Sequence, residues 1–173
     1  MKMEKDRLSA LGGFLASAGA ALALAGCAAA PTMVELQEVR GISARTLQAR
    51  LGEPTDKVRL HDGRSRWLYS GQPLGLFVYA ADFDTDGALV DYRQMLTMEE
   101  LQQARPGAWA KQDVVARFGK PRLPIQYYAL QKREVWSYRF QYVTQVAVFH
   151  FQFDAGGVLR GTQMSINSFE DMM

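Results

Sequence analysis

Few side chains in this sequence are spaced for chemistry. Asp82, Asp84 and Asp86 alternate ahead of Gly87 and Leu89, which matches the start of a calcium-binding loop. The last position of such a loop should supply a bidentate glutamate, and here it holds Arg93. A hairpin turn with exposed carboxylates is the better reading, so no metal is expected. His61 falls in an expected turn. His150 falls on an expected strand, opposite the face of Phe149 and Phe151. Neither has an acid or nucleophile repeated beside it, so both read as ordinary surface or sheet residues. The sequence contains no nucleophile elbow, no zinc-ligand spacing and no phosphate-cradling glycine loop. The reading is therefore of a chain that is not an enzyme and takes no cofactor. What remains is aromatic. Trp136, Tyr138, Phe140 and Tyr142 share one strand face by their two-residue spacing, and Trp67 and Tyr69 match the first two. Tyr127, Tyr128 and Arg139 lie near enough to form a rim. Alternation identifies a face but not its direction, and two readings stand. The face packs under helices, or it is an open platform of the residue types that dominate protein-binding hot spots.

The elements that would position these residues occur twice. Arg50-Leu51-Gly52-Glu53-Pro54 returns as Arg117-Phe118-Gly119-Lys120-Pro121. Trp67-Leu68-Tyr69 returns as Trp136-Ser137-Tyr138, and Phe83-Asp84 with Gly87 returns as Phe153-Asp154 with Gly157. The offset grows from 65 positions (Leu36 to Leu101) to 70 (Phe83 to Phe153), as small loop insertions would produce. Ahead of these three, Thr32-Met33-Val34-Glu35-Leu36-Gln37 returns as Thr97-Met98-Glu99-Glu100-Leu101-Gln102, and four motifs in the same order indicate a tandem duplication of one unit of roughly 65–70 residues.

Each copy reads α-α-β-β-β-β. In the first, Thr32 to Arg40 is a helix with a Thr32/Glu35 capping box, and Ser43 to Leu51 is a second helix stopped by Gly52 and Pro54. Strands follow at Lys57–Leu60, Ser65–Ser70, Leu76–Asp84 and Ala88–Met95, with Asp62-Gly63 a hairpin signal. In the second copy, Thr97 to Arg105 and Trp109 to Phe118 are the helices. Ile125–Leu130, Glu134–Tyr142, Val146–Phe153 and Val158–Ile166 are the strands. Phe149, Phe151 and Phe153 face one way and belong to a core. The fold class is α+β, each unit a two-layer sandwich of a helix pair on an antiparallel sheet. The helices can cover one sheet face, which leaves the other for water or a partner. Almost no linker separates the copies, so they should pack as one two-lobed body.

The amino terminus sets location. Lys2, Lys5 and Arg7 precede an uncharged run from Leu8 to Ala25, the layout of an export signal. The run ends in Leu24-Ala25-Gly26-Cys27, which resembles a bacterial lipobox. That resemblance implies cleavage after Gly26, then diacylglycerol attachment and N-acylation at Cys27, the only cysteine. Two or three acyl chains make such an anchor effectively permanent. Ala28 after the cysteine, rather than an aspartate, favours the outer membrane by resemblance to enterobacterial sorting. The tether from Ala28 to Pro31 spans only about 15 Å, which holds the first lobe close to the headgroups. The organisation is then a signal peptide at 1–26, a lipidated tether at 27–31, units at 32–95 and 96–166, and a tail at 167–173. The chain of 173 residues carries a formal charge of +2 with its basic residues spread out, so nucleic acid is not an expected partner.

Gly41-Ile42-Ser43, Leu47, Leu51-Gly52-Glu53-Pro54, Trp67-Leu68-Tyr69, and Phe83-Asp84 with Gly87 resemble the SmpA/OmlA pattern of the BamE family of outer-membrane assembly lipoproteins. The same fold group includes the β-lactamase inhibitor proteins, built from two such units in tandem. BamE proteins usually carry one unit and this chain carries two. The resemblance implies a periplasm-facing, lipid-anchored outer-membrane protein whose work is binding a protein in envelope assembly or integrity. Inhibition of a secreted or periplasmic enzyme, or binding of a lipid or small molecule between helices and sheet, are the alternatives.

Overall fold

The structure, a computed structural model, describes residues 40–166. The expected signal segment, Gly26, Cys27, the tether, all but the last residue of the expected Thr32–Arg40 helix, and the tail lie outside the described residues. The described part is α+β. In chain order it runs α1 (Ala44–Leu51), β1 (Asp56–Arg59), β2 (Ser65–Ser70), β3 (Val78–Phe83), β4 (Leu89–Gln94), α2 (Met98–Leu101), α3 (Lys111–Phe118), β5 (Gln126–Tyr128), β6 (Arg133–Tyr142), β7 (Gln145–Phe153) and β8 (Leu159–Ile166). The strands form two separate antiparallel sheets, β1-β2-β3-β4 and β5-β6-β7-β8.

Local chemistry accounts for the element ends. The Ser43 hydroxyl accepts from the Thr46 N–H at 3.2 Å and opens α1. Gly52 closes it at φ +81°, donating its N–H to the Gln48 carbonyl at 2.8 Å. Gly119 closes α3 in the same way, at φ +77° with a 2.9 Å bond to Val115. Ala110 has no capping side chain, so Asp113 reaches back and accepts its N–H at 2.7 Å. Thr97 accepts from the Glu100 N–H at 3.3 Å, but α2 ends at Leu101, short of the expected Arg105. Pro106 disfavours helical backbone at Arg105, and the Arg105 carbonyl instead takes the N–H groups of Ala108 and Trp109. Trp109 and Ala110, expected in the next helix, are extended instead. The Trp109 carbonyl accepts the Leu159 N–H at 2.8 Å, and Ala110 bridges Val158. The Asp84 turn spends its carboxylate on its own backbone, accepting the N–H groups of Asp86 at 3.0 Å and Ala88 at 2.9 Å.

Side chains alternate across each strand, so each sheet has two faces to cover. On the first sheet, Tyr69, Ala81 and Phe83 pack against Leu47 of α1. Its opposite face carries Leu68, Val78 and Ala80, which join one core with Leu101 of α2, Val114 and Phe118 of α3, and Tyr138 and Phe151 of the second sheet. The layers therefore run α1, first sheet, α2 with α3, second sheet. This corrects the expectation that each sheet keeps an open face, because the first sheet is covered on both. The two sheets are separate, with α2 and α3 between them. Phe118 packs on Tyr138 and Phe151 with ring centroids 5.9 and 5.5 Å apart.

Polar contacts cross the same junction. Arg66 and Asp82, both buried, form a two-pronged ion pair at 2.6 and 2.7 Å. The Arg66 guanidinium also donates to the Ala116 carbonyl on α3 at 3.3 Å. Arg93 of β4 lies 3.4 Å from both Asp82 and Glu100, and Arg117 of α3 holds Glu100 at 2.7 Å. Farther along, Arg122 reaches Asp56 at 3.0 Å. The Gln72 side-chain amide donates to the Arg139 carbonyl at 2.7 Å and accepts the Arg139 N–H at 3.1 Å. Gln72 thus stands in for a strand along β6, beyond the stretch that three-residue β5 can pair.

Candidate protein-binding groove

The aromatic residues do not form an open platform. Trp136, Tyr138 and Phe140 are buried, Tyr138 to 1 % exposure, because α2 and α3 cover that face. The Tyr138 hydroxyl donates to the Gly119 carbonyl at 2.7 Å, and burial pushes its pKa far above the usual phenol range. Tyr69 is buried on the α1 side of the first sheet, with its pKa pushed up to about 12 by burial. Trp67 is half-buried under the Lys57 ammonium, 4.5 Å from the ring, and beside Phe83. Tyr128, Tyr142 and Arg139 are half-buried, and Arg139 is tied to the Pro73 carbonyl at 3.0 Å. Of the predicted contact residues only Tyr127 is well exposed, at 65 %, on the edge strand β5. The predicted set is thus divided between two cores and one edge.

His150 departs from the reading that no nucleophile stands beside it. Its Nδ1 is 2.9 Å from the Ser137 hydroxyl and its Nε2 is 3.0 Å from that of Ser165. Burial lowers its pKa, which favours the neutral ring. Both ring nitrogens bond serine hydroxyls, so the imidazole ties β6, β7 and β8 together across the face of the second sheet turned away from α2 and α3.

What the fold does build at its surface is a groove between the two halves of the chain. It has a cavity of about 560 Å³, within the size range of ligand-binding clefts. One wall is the unbroken run Val58, Arg59, Leu60, His61 and Asp62, from β1 into its hairpin. The other wall is Trp109 with the Gln112, Asp113, Ala116 and Arg117 face of α3, and Arg66 also lines it. The i, i+1, i+4, i+5 spacing of those helical residues is one face of a helix. At one end, Asp56 meets Arg122 and the backbone of Gly119, where an added Cβ would lie 2.8 Å from the Asp56 carboxylate. At the other end the His61 hairpin leaves the groove open.

The groove's charges are unevenly satisfied. Asp62 is held by Arg64 at 2.7 Å, which keeps its carboxyl below the usual range. Asp113 is bound to the Ala110 N–H. Arg117 lies 5.0 Å from the Trp109 ring, so the indole presents an aromatic wall stiffened by a cation. Among the described residues, Arg59 and His61 have no ion-pair partner, and both are exposed. On the other side of β1, Arg59 also lines a smaller cavity of about 180 Å³ with Trp67 and Phe83. Trp109, Gln112 and Arg59 were not legible as site residues, because their proximity arises only when α3 docks on the first sheet. No protein-family model, curated protein or solved structure matches this chain, so the groove's own residues carry its functional reading.

Proposed function

We propose that this chain is an outer-membrane lipoprotein whose paired halves bind a periplasmic or outer-membrane protein in cell-envelope assembly or integrity. In this reading Cys27, freed by cleavage after Gly26, carries the lipid. Residues 32–95 and 96–166 are tandem α-α-β-β-β-β units of the SmpA/OmlA kind. The activity is binding, not catalysis. The observation that carries it is the groove, which takes one wall from each half and exists only in their paired arrangement. Recurrent details favour the duplication. Gly52 and Gly119 cap equivalent helices, and strand bulges recur at Asp82/Phe83 and Gln152/Phe153. The bridges Ser43–Ala88 and Ala110–Val158 recur as well. The acyl anchor contributes by confining the groove to one membrane surface, which raises its effective concentration toward partners there.

The test is expression of the full chain in a Gram-negative cell. The expected result is a mature chain beginning at Cys27 whose intact mass includes two or three acyl chains, recovered in the outer-membrane fraction together with envelope proteins. Cys27→Ser should be recovered without acyl mass. An unprocessed, unacylated wild-type chain overturns the lipoprotein reading. Recovery of the acylated chain free of envelope proteins after in-cell crosslinking overturns the binding role.

A further inference from the structure

We infer that the groove receives an extended, acidic segment of the partner protein, which pairs with the free edge of β1 and lies against α3. This rests on the binding role proposed above and specifies how it is carried out.

Among the described residues the strand order places β1 at the margin of its sheet, bonded only to β2. The Leu60 N–H donates to the Arg64 carbonyl at 2.8 Å, and Val58 stands opposite Arg66. In an antiparallel ladder, residues bonded to the neighbour alternate with residues whose peptide groups point away. Leu60, Val58 and Asp56 therefore bond inward, and the N–H and carbonyl groups of Lys57 and Arg59 point outward. Val58 and Arg59, adjacent on β1 and so directed to opposite faces of the sheet, both line the groove, and Leu60, His61 and Asp62 of the hairpin extend the wall. Two neighbouring strand residues meet one cavity where it opens on the strand's edge. A strand edge opposite a helix, with a gap between them, is the arrangement that recognises extended peptides by strand addition.

The side chains specify the occupant. β1 is short and carries Lys57 and Arg59, the basic residues with which edge strands resist pairing with copies of themselves. Lys57 already pairs with Glu53 at 3.4 Å, so Arg59 is the charge on this edge that favours an acidic strand. The groove's own acids are held by Arg64 and by the Ala110 N–H, whereas Arg59 and His61 are unengaged among the described residues. The Trp109 indole and the Ala116 methyl offer an apolar wall to residues on the alternate side of the bound segment. The Arg122–Asp56 contact closes one end, so the segment enters from the His61 hairpin and stops there.

The test uses the purified, acylated full chain in detergent and a phage-displayed library of random short peptides. Acidic peptides should be enriched, and on binding they should protect the Lys57 and Arg59 amides from hydrogen exchange. Arg59→Pro removes one outward N–H without touching an inward bond, a change that edge strands accept. It should weaken the selected peptides at least about tenfold. Arg59→Glu keeps the backbone and should weaken them similarly, while Arg45→Ala on α1 should leave them unchanged. If Arg59→Pro does not fold, Arg59→Glu and the exchange pattern decide. Selection without acidic enrichment, or undiminished binding by a folded Arg59→Pro or Arg59→Glu variant, overturns the inference. If those variants still recover the same envelope proteins from cells, the binding role stands and the groove is not its seat. If the acylated wild type recovers none, the binding role itself fails.

Discussion

Asp82 shows how one side chain is committed to structure. It sits 2 % exposed in the first sheet, holds Arg66 with both oxygens, and is approached by Arg93. A buried pair of this kind adds little over apolar residues of equal volume, but removing one partner strands the other charge. Asp82→Asn should therefore cost about 3–5 kcal/mol in chemical denaturation. The double change Asp82→Leu with Arg66→Met should recover most of that loss. A small effect for Asp82→Asn would mean that water reaches Arg66. This pair was invisible in the sequence, where Asp82 read as the first residue of a turn motif. Gly52, Gly119 and Asp84 were legible because their partners lie within a few positions along the chain. Asp82 was not, because its partner comes from another strand and its burial comes from α3.

Among the elements, β6 and β5 are mismatched in length. β6 has 10 residues and β5 has 3, so among the described residues most of β6 has no strand on that side. Gln72 fills part of the gap by bonding both backbone groups of Arg139, and its amide also donates to the Gly75 carbonyl at 2.7 Å. Gln72→Ala leaves a donor and an acceptor of β6 without partners. The expected loss is about 1–3 kcal/mol, with faster hydrogen exchange at the Arg139 amide and little change at Trp136. Unchanged exchange at Arg139 would show that the edge is protected by other means. Strand positions were legible at this scale, since alternation and turn residues mark them locally. The direction of each face was not. The period of two groups Trp136, Tyr138 and Phe140, but it is Val114 and Phe118 that decide they point inward. The same docking decides that the first sheet is covered twice. Tyr127 stays exposed because β5 lies at the sheet's margin, outside the span of α2 and α3.

At the scale of the whole molecule one core spans both halves. Leu68, Val78 and Ala80 belong to the same cluster as Phe118, Tyr138 and Phe151, while Leu47, Tyr69 and Phe83 form a second core within the first half. Denaturation should show a single transition, with amides of β3 and β7 exchanging through the same global opening. Phe118→Ala should lower stability by about 3–5 kcal/mol and shift both sheets together. Two separated midpoints, or an effect confined to β7, would contradict a shared core. Two four-stranded antiparallel sheets were legible in the sequence, because alternation and turn residues mark the strands. The way the two halves interlock was not, because it depends on a second apolar side of α2 and α3 that their short spans do not declare.

That interlocking has a consequence in time. In synthesis and in export alike, the first sheet emerges before the helices that cover its second face. Until residues 101–118 arrive, Leu68, Val78 and Ala80 face solvent, and Arg66 lacks the Ala116 carbonyl. The first half is thus an unfinished surface that its own continuation must find. A chain stopped near Gln94 would present a sheet with one sealed face and one adhesive face. The link between the two sheets is short because the chain after β4 begins as the missing cover of the first sheet.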